Sequence, residues 1–485
     1  MPRPLATGPV LVALASALFL ARAAQAQRDV TEKLKDPNTQ VAPTTQPGSN
    51  PPPRTLTLDE AVALGLNNSK ALRLAAESVN RARGVVNENR AGFLPSANAN
   101  FSYTRLDTGS SFTLPGPNGQ PETIPIIVQN QRQITVGANL PLDLAGLIRA
   151  AVQQSEFQEI AARLDYNRTR NETVLNIKNA YFDVLRAKAL VAVSEQALKD
   201  AQDQQTTAET NLRVGTGTRF EVLRAQTQVA NAQQNLIAAR NRVNLTTATL
   251  NNVLGLDQNT PTQTVETGEA VGPSKDFNAA VAEAYRTRPE VLQADANIRA
   301  AEKGLVVAKR SVLPTVGLAF NFNYTPDVGG FVPKVASYAT VATLSLPLFD
   351  QGLSRARTQQ AQAGLNTTKL DKQVTQDTVA LEVRQAYLAL IEAQDRLNVT
   401  TAALTEAQEQ YRLAQVRFKA GVTSVPGASP LLEISDAQNA LTQAQTNQVT
   451  AQYDVQTAKA TLDRAIGRYS YSGSDRVGLP SATGK

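Results

Sequence analysis

The chain repeats itself once, so whatever it folds into is built twice. Leu58-Asp59-Glu60-Ala61-Val62 aligns with Phe277-Asn278-Ala279-Ala280-Val281, and Leu94-Pro95 with Leu313-Pro314, both at a spacing of 219 residues. Leu140-Pro141-Leu142 and Ala180-Tyr181 return at a spacing of 206, as Leu346-Pro347-Leu348 and Ala386-Tyr387. Ala225-Gln226 and Leu254-Gly255 return at 212, as Ala437-Gln438 and Ile466-Gly467. A change in spacing marks an insertion, and insertions belong in loops. About 13 extra residues fall between Pro95 and Pro141, and about six after Gly421.

Each half opens with an amphipathic stretch, Leu58 to Gly92 and Phe277 to Ser311, expected as one helix apiece and ended by Pro95 and Pro314. Alternating segments follow. Ala97, Phe101 and Tyr103 alternate with Asn98, Asn100 and Ser102; Ile134, Val136, Ala138 and Leu140 alternate with Thr135, Gly137 and Asn139. In the second half Val316, Leu318, Phe320, Phe322 and Tyr324 form one set, and Tyr338, Ala342, Leu344 and Leu346 another. Period two places each set on one face of a sheet. The strands are about the 9–11 residues that cross a bilayer at a tilt, with one face apolar and the other small or polar. A soluble hairpin on a core would show the same alternation. The links Gly109 to Pro125 and Pro326 to Pro333 are expected as outward loops.

A long helical stretch comes next, from about Gly146 to Leu212. Some 65 residues at about 1.5 Å each extend close to 100 Å. Ile177, Val184, Val191, Leu198 and Leu212 keep a spacing of seven, with Gln205 in the gap and small residues such as Ala180, Ala187, Ala201 and Ala208 three positions on. Val383, Leu390, Leu397, Leu404, Tyr411 and Phe418 repeat the pattern. Such a seam predicts close, left-handed coiled-coil packing. Turns at Val214 to Thr218 and Ala420 to Gly427 then send a second helix back, Phe220 to Leu254 and Leu431 to Ile466.

The N-terminus predicts export. Arg3, the apolar run Pro9 to Leu20 and Ala24-Gln25-Ala26 read as a signal peptide cut after Ala26. No Cys follows to carry a lipid, and no later apolar run is long enough for a membrane helix. A membrane span would therefore consist of strands. The expected organisation is a signal peptide (1–26), a Pro-rich leader (27–54), a first unit (55–269), a second of the same plan (270–467) and a flexible tail (468–485).

Composition removes most chemistry. The chain has no Cys and no His, so thiolate and His-based catalysis and the usual zinc, haem and iron–sulfur ligands are missing. No cofactor is expected. A formal charge of +6 is spread evenly, without the basic run that marks nucleic-acid binding.

Four strands cannot close a barrel, and an open edge in hydrocarbon costs several kcal/mol per unpaired group. Strands from several copies must pair. Eight would fill their own interior with side chains, and more than eight leave a lumen.

Tyr411 and Phe418 before Gly421, then Leu432-Glu433, Ala437-Gln438 and Leu462 to Gly467, resemble the TolC-type outer-membrane efflux proteins. So do Val214-Gly215-Thr216 before Phe220-Glu221-Val222-Leu223, and Leu346-Pro347-Leu348-Phe349-Asp350 with Gly352. The resemblance covers Leu58 to Gly467. It implies a homotrimer with a twelve-stranded β-barrel in the outer membrane, continued by an α-helical coiled-coil barrel across the periplasm. It implies the exit duct of a tripartite efflux or type I secretion system, with a periplasmic adaptor and an inner-membrane transporter as partners and no catalysis. The adaptor would dock at the hairpin tips, at Val214, Gly215, Thr216, Gly421, Val422 and Thr423. Glu433 and Asp436, three apart on one helix face, match acidic positions that ring the family's tunnel entrance, with Glu221 equivalent in the first hairpin. Favourable placement at a helix N-terminus would also account for these acids. The family's gate-locking Tyr and Arg are replaced by Phe418 and Thr423. A periplasmic adaptor would have one hairpin, and a structural coiled-coil envelope protein would have no use for the strands.

Overall fold

The computed structural model describes residues 54–115, 120–266, 276–327, 336–420, 422 and 430–470. The expected signal peptide, nearly all of the expected leader, most of the second expected outward loop and the expected tail beyond Ser470 lie outside them. In chain order the elements are β1 (Arg54–Leu56), α1 (Leu58–Asn68), α2 (Lys70–Ala91), β2 (Ser96–Arg105), β3 (Ser110–Pro115), β4 (Pro121–Ile127) and β5 (Asn130–Leu142). They continue with α3 (Leu147–Arg213), α4 (Arg219–Val253), β6 (Thr262–Thr264), α5 (Phe277–Thr287), α6 (Pro289–Arg310) and β7 (Thr315–Tyr324). The last are β8 (Ala336–Ser345), α7 (Leu353–Ala420) and α8 (Pro430–Ile466), with a short 3₁₀ turn at Arg468–Ser470.

The opening helix of each half is broken, where the sequence suggested continuity. In the first half Ser69 leaves the helical region and its hydroxyl accepts from Leu72 N, capping α2. In the second Arg288 is extended and Pro289 takes the first position of α6, where its missing N–H costs nothing. The link expected as an outward loop also differs. Ser110–Pro115 pairs with Pro121–Ile127 as a hairpin, its prolines tolerated because each strand has a free edge.

The four long strands form one antiparallel sheet in the order β2-β5-β7-β8. Its register aligns side chains in rows that cross both halves. Phe101, Ile134, Tyr324 and Ala336 share one row; Ala99, Val136, Phe322 and Tyr338 the next; Ala97, Ala138, Phe320 and Thr340 the one after. The opposite face carries Asn100, Thr135, Asn323 and Ser337, then Asn98, Gly137, Asn321 and Ala339. In these rows one face is apolar except at Thr340 and the other is small or polar. Both β2 and β8 are edges.

The helices repeat this order. On the side toward the sheet, α3 packs between α2 and α6, and α7 packs on α6. Toward the turns, α3 packs between α4 and α8, and α7 on α8. Each strand therefore continues into the helix layer at its own place: α2, α3, α6 and α7 below β2, β5, β7 and β8. At the two junctions an Asp closes the turn. Asp143 accepts from Ile148 N and Arg149 N at 3.0 and 2.9 Å, and Asp350 from Gly352 N and Ser354 N at 3.1 and 2.8 Å. The result is a wall one helix thick with two free margins. One margin, α2 and α4, exposes Leu74, Phe220, Leu223 and Ile237; the other, α7, exposes Leu370, Val374, Leu381 and Val399.

The seam is buried in its middle, at Ile177, Val184, Val383 and Leu390 with Ala187, Ala201, Ala386 and Ala407, while Val191, Leu198, Leu397, Leu404 and Tyr411 are half-buried. Leu212 does not follow; it is 40 % exposed, and the seam ends before the turn. Midway along α3, Tyr181 is fully buried and its hydroxyl donates to the carbonyls of Leu56 and Val265, tying in the parallel pair β1 and β6. Across α1, a Cβ placed on Gly65 would lie 2.4 Å from Ile177 Cδ1. Helix propensity favours Ala there by about 1 kcal/mol, but overpacking a fully buried Ile costs about 1–3 kcal/mol. Gly65→Ala is expected to lower the thermal midpoint, and an unchanged or raised midpoint would contradict this packing.

The second half is pinned at the same level by charge. The Arg288 guanidinium, 3 % exposed, donates from Nη2 to Glu290 at 2.8 Å and from Nη1 to Glu382 at 2.7 Å. Arg464 reaches Glu382 at 2.8 Å and Glu172 at 3.5 Å. Four helices, α3, α6, α7 and α8, meet in this network.

Candidate functional site

Two places carry side chains with a use beyond holding the wall together: the polar face of the sheet and the tips of the hairpins. The polar face is built by strand alternation alone, because every second residue of four strands must point the same way. Its rows are short and hydrogen-bonded. Thr135 Oγ1 donates to Asn323 Oδ1 at 3.0 Å. Gly137 has no side chain because Asn98 Oδ1 occupies the space, 2.9 Å from where a Cβ would stand.

The first tip is a compact reversal. Gly215 has φ +83°, which favours a residue without Cβ, and Asn211 O accepts from Thr216 N and Gly217 N at 2.9 and 3.0 Å. Val214 and Thr216 are exposed at its apex. Glu221 sits at the third position of α4 in a capping box: Thr218 N donates to its carboxylate at 2.9 Å, and Thr218 Oγ1 accepts from Glu221 N at 3.3 Å. The carboxylate therefore has a local structural role.

At the second tip Glu433 lies in the first turn of α8 and pairs with Arg417 of α7 at 2.6 Å. Asp436, one turn on, is exposed. The two acids share a helix, but their surroundings differ: one carboxylate is neutralised within the chain and the other faces solvent. Val422 is exposed, and its N donates to Arg417 O at 3.1 Å. Gly421 and Thr423 lie outside the described residues.

The sequence did not show what joins the tips. Phe418 is buried with Ala208, Val222, Ala414, Leu431 and Ile434. A ladder of amides lies above it. Gln204 Nε2 donates to Gln438 Oε1 at 2.7 Å, and Gln438 Nε2 to the carbonyl of Ala197 at 2.9 Å. The heptads place Gln205 in their gap, and the amide that packs across the tips is its neighbour Gln204. Among the described residues no group of His, Cys, Asp and Glu could hold a metal, and no helix is long and apolar enough to cross a membrane.

Comparison with known proteins places this geometry. The profile of a family described as outer membrane efflux protein matches residues 62–256 and again 280–468. The toluene efflux pump outer membrane protein TtgC of Pseudomonas putida is 24 % identical over 421 residues, covering 84 % of this chain and 82 % of that one. The pyoverdine export outer membrane protein OpmQ of the same species is 25 % identical over 424 residues, covering 84 % and 85 %. In fold, the outer membrane protein VceC of Vibrio cholerae superposes with a TM-score of 0.68 at 20 % identity, over 84 % of this chain and 96 % of that one.

Proposed function

Since the chain belongs to the outer membrane efflux protein family, we propose that three copies close into one channel, the exit duct of a tripartite efflux or type I secretion system. The protein is an outer-membrane channel component and not an enzyme. One observation carries the reading: a four-stranded sheet with an apolar face, a polar face and two unpaired edges, continued strand for strand by helices in the same order. Three such walls placed head to tail bring β8 of each copy beside β2 of the next, antiparallel. That makes a twelve-stranded barrel with no edge left and the apolar face toward lipid. The helices extend the lumen through the periplasm as a coiled-coil barrel. The apolar margin on α7 meets the apolar margin on α2 and α4 of the neighbour.

Solutes would enter from an inner-membrane transporter through a periplasmic adaptor docked on the tips, at Val214, Gly215 and Thr216 and at Gly421, Val422 and Thr423. Two relatives of nearly equal similarity carry names that specify toluene and pyoverdine. Single Cys residues placed at Thr216 and Val422 should cross-link to an adaptor when the complete system is expressed. Cross-links that fail there but form elsewhere along α4 or α8 would move the docking site.

The entrance would carry the acidic ring. With Glu433 paired to Arg417, Asp436 supplies most of the unneutralised charge, and three copies in a constriction focus it. Replacing Glu433 and Asp436 together by Ala should abolish block of single-channel current by trivalent cations. Asp436→Asn alone should remove most of it. Unchanged block in the double variant would place the cation site elsewhere.

A further inference from the structure

We propose that the barrel handles solutes through an uncharged amide surface, which adds no charge selectivity of its own to the duct. This rests on the closed barrel described above and adds what its lumen does to cargo. Charged residues are nearly missing from the four long strands: only Arg105 and Arg132 occur in them. Both stand at the outward rim, and both fall on the apolar side by alternation, Arg132 opposite Tyr103. Arg132 is also spent locally, since its guanidinium holds Asp327 through two bonds of 2.7 and 2.8 Å while its backbone N donates to the same carboxylate at 2.9 Å.

The polar face is different in kind. It presents Ser96, Asn98, Asn100 and Ser102 on β2, Gln131, Gln133, Thr135 and Asn139 on β5, and Asn321 and Asn323 on β7. Rows of Asn98 and Asn321, and of Asn100 and Asn323, lie at two heights, and in three copies each row becomes a ring of six amides. An amide offers both a donor and an acceptor and carries no net charge. Such a bore exchanges hydrogen bonds with a passing solute of either sign and sets up no field that favours one. A ring of carboxylates or guanidiniums would do the opposite, by focusing potential between low-dielectric walls.

The chain has no Cys, so one introduced thiol reports on one place. The test uses Asn98→Cys and Asn321→Cys, separately, in the purified full-length channel in lipid vesicles. Each is treated with a cationic and an anionic thiosulfonate reagent of similar size. A neutral bore requires both reagents to react, with a rate ratio within about twofold of their ratio for a small free thiol in solution. Conversion of Asn98→Cys by either reagent should then make the channel prefer ions of the opposite sign. A rate ratio shifted by about tenfold or more at both positions would show a charged bore and overturn the proposal while leaving the barrel intact. Failure of both reagents at both positions, with Thr216→Cys reacting normally, would mean that this face does not line water. That result would overturn the barrel itself.

Discussion

Phe320→Arg is expected to prevent assembly in the outer membrane, while Asn321→Arg, one residue on, is expected to be tolerated. Phe320 stands near the middle of β7, between Ala138 and Thr340 on the apolar face. An Arg at the bilayer midplane of a barrel costs about 2–4 kcal/mol in every copy. A folded protein has only about 5–15 kcal/mol in total. Asn321 lies on the opposite face, which in the proposed barrel lines water that solvates a guanidinium at little cost. The measurement is the fraction of each variant extracted from outer membranes as a stable oligomer. Equal tolerance of both substitutions, or the reverse order, would mean that the faces are assigned wrongly.

Arg288→Ala is expected to cost about 1–3 kcal/mol, because it removes two charge-assisted hydrogen bonds of an almost fully buried guanidinium and leaves Arg464 alone beside Glu290 and Glu382. Removing the two carboxylates as well should recover much of the loss: Arg288→Met combined with Glu290→Gln and Glu382→Gln leaves Arg464 and Glu172, 3.5 Å apart, as the charged pair of the site. Thermal unfolding of the three proteins separates the cases. A single variant as stable as the parent would show that Arg288 is dispensable. Acid should act on the same place. Burial alone would raise the Glu290 carboxyl, but hydrogen bonds and charge from Arg288, with Arg464 behind it, outweigh burial and hold it below the ordinary range. A carboxyl lowered by folding stabilises the fold above its unfolded value, and that contribution is lost as pH falls through the folded value. Acid sensitivity should therefore weaken in the triple variant.

Much of this architecture was legible in the chain because it rests on periodicity. Spacings of seven gave the long helices and buried seams, and spacings of two gave the strands and their faces. What escaped was decided by single residues or by distant partners. The break at Arg288 had a visible signal, Pro289, which disfavours a helical residue before it and suits the first helical turn. The break at Ser69 had a weaker one, a capping hydroxyl. Prolines disguised β3 and β4 as an irregular loop although Phe112 and Leu114 face Ile124 and Glu122 in regular alternation. Pairing of β5 with β7 joins the two halves, and no local pattern specifies such a partner. The same holds at the tips. That Glu433 and Asp436 share a helix could be read from their spacing, but the Arg417 that neutralises one of them comes from the helix on the other side of the turn.

Every functional statement depends on closure of the sheet across copies, and the stoichiometry of the protein extracted from outer membranes in mild detergent tests it most directly. Native mass spectrometry should find three chains per particle, each of about the 51.9 kDa of the full chain less the signal peptide expected at 1–26. A correctly folded single chain, or a pair whose eight strands leave no open bore, would contradict it.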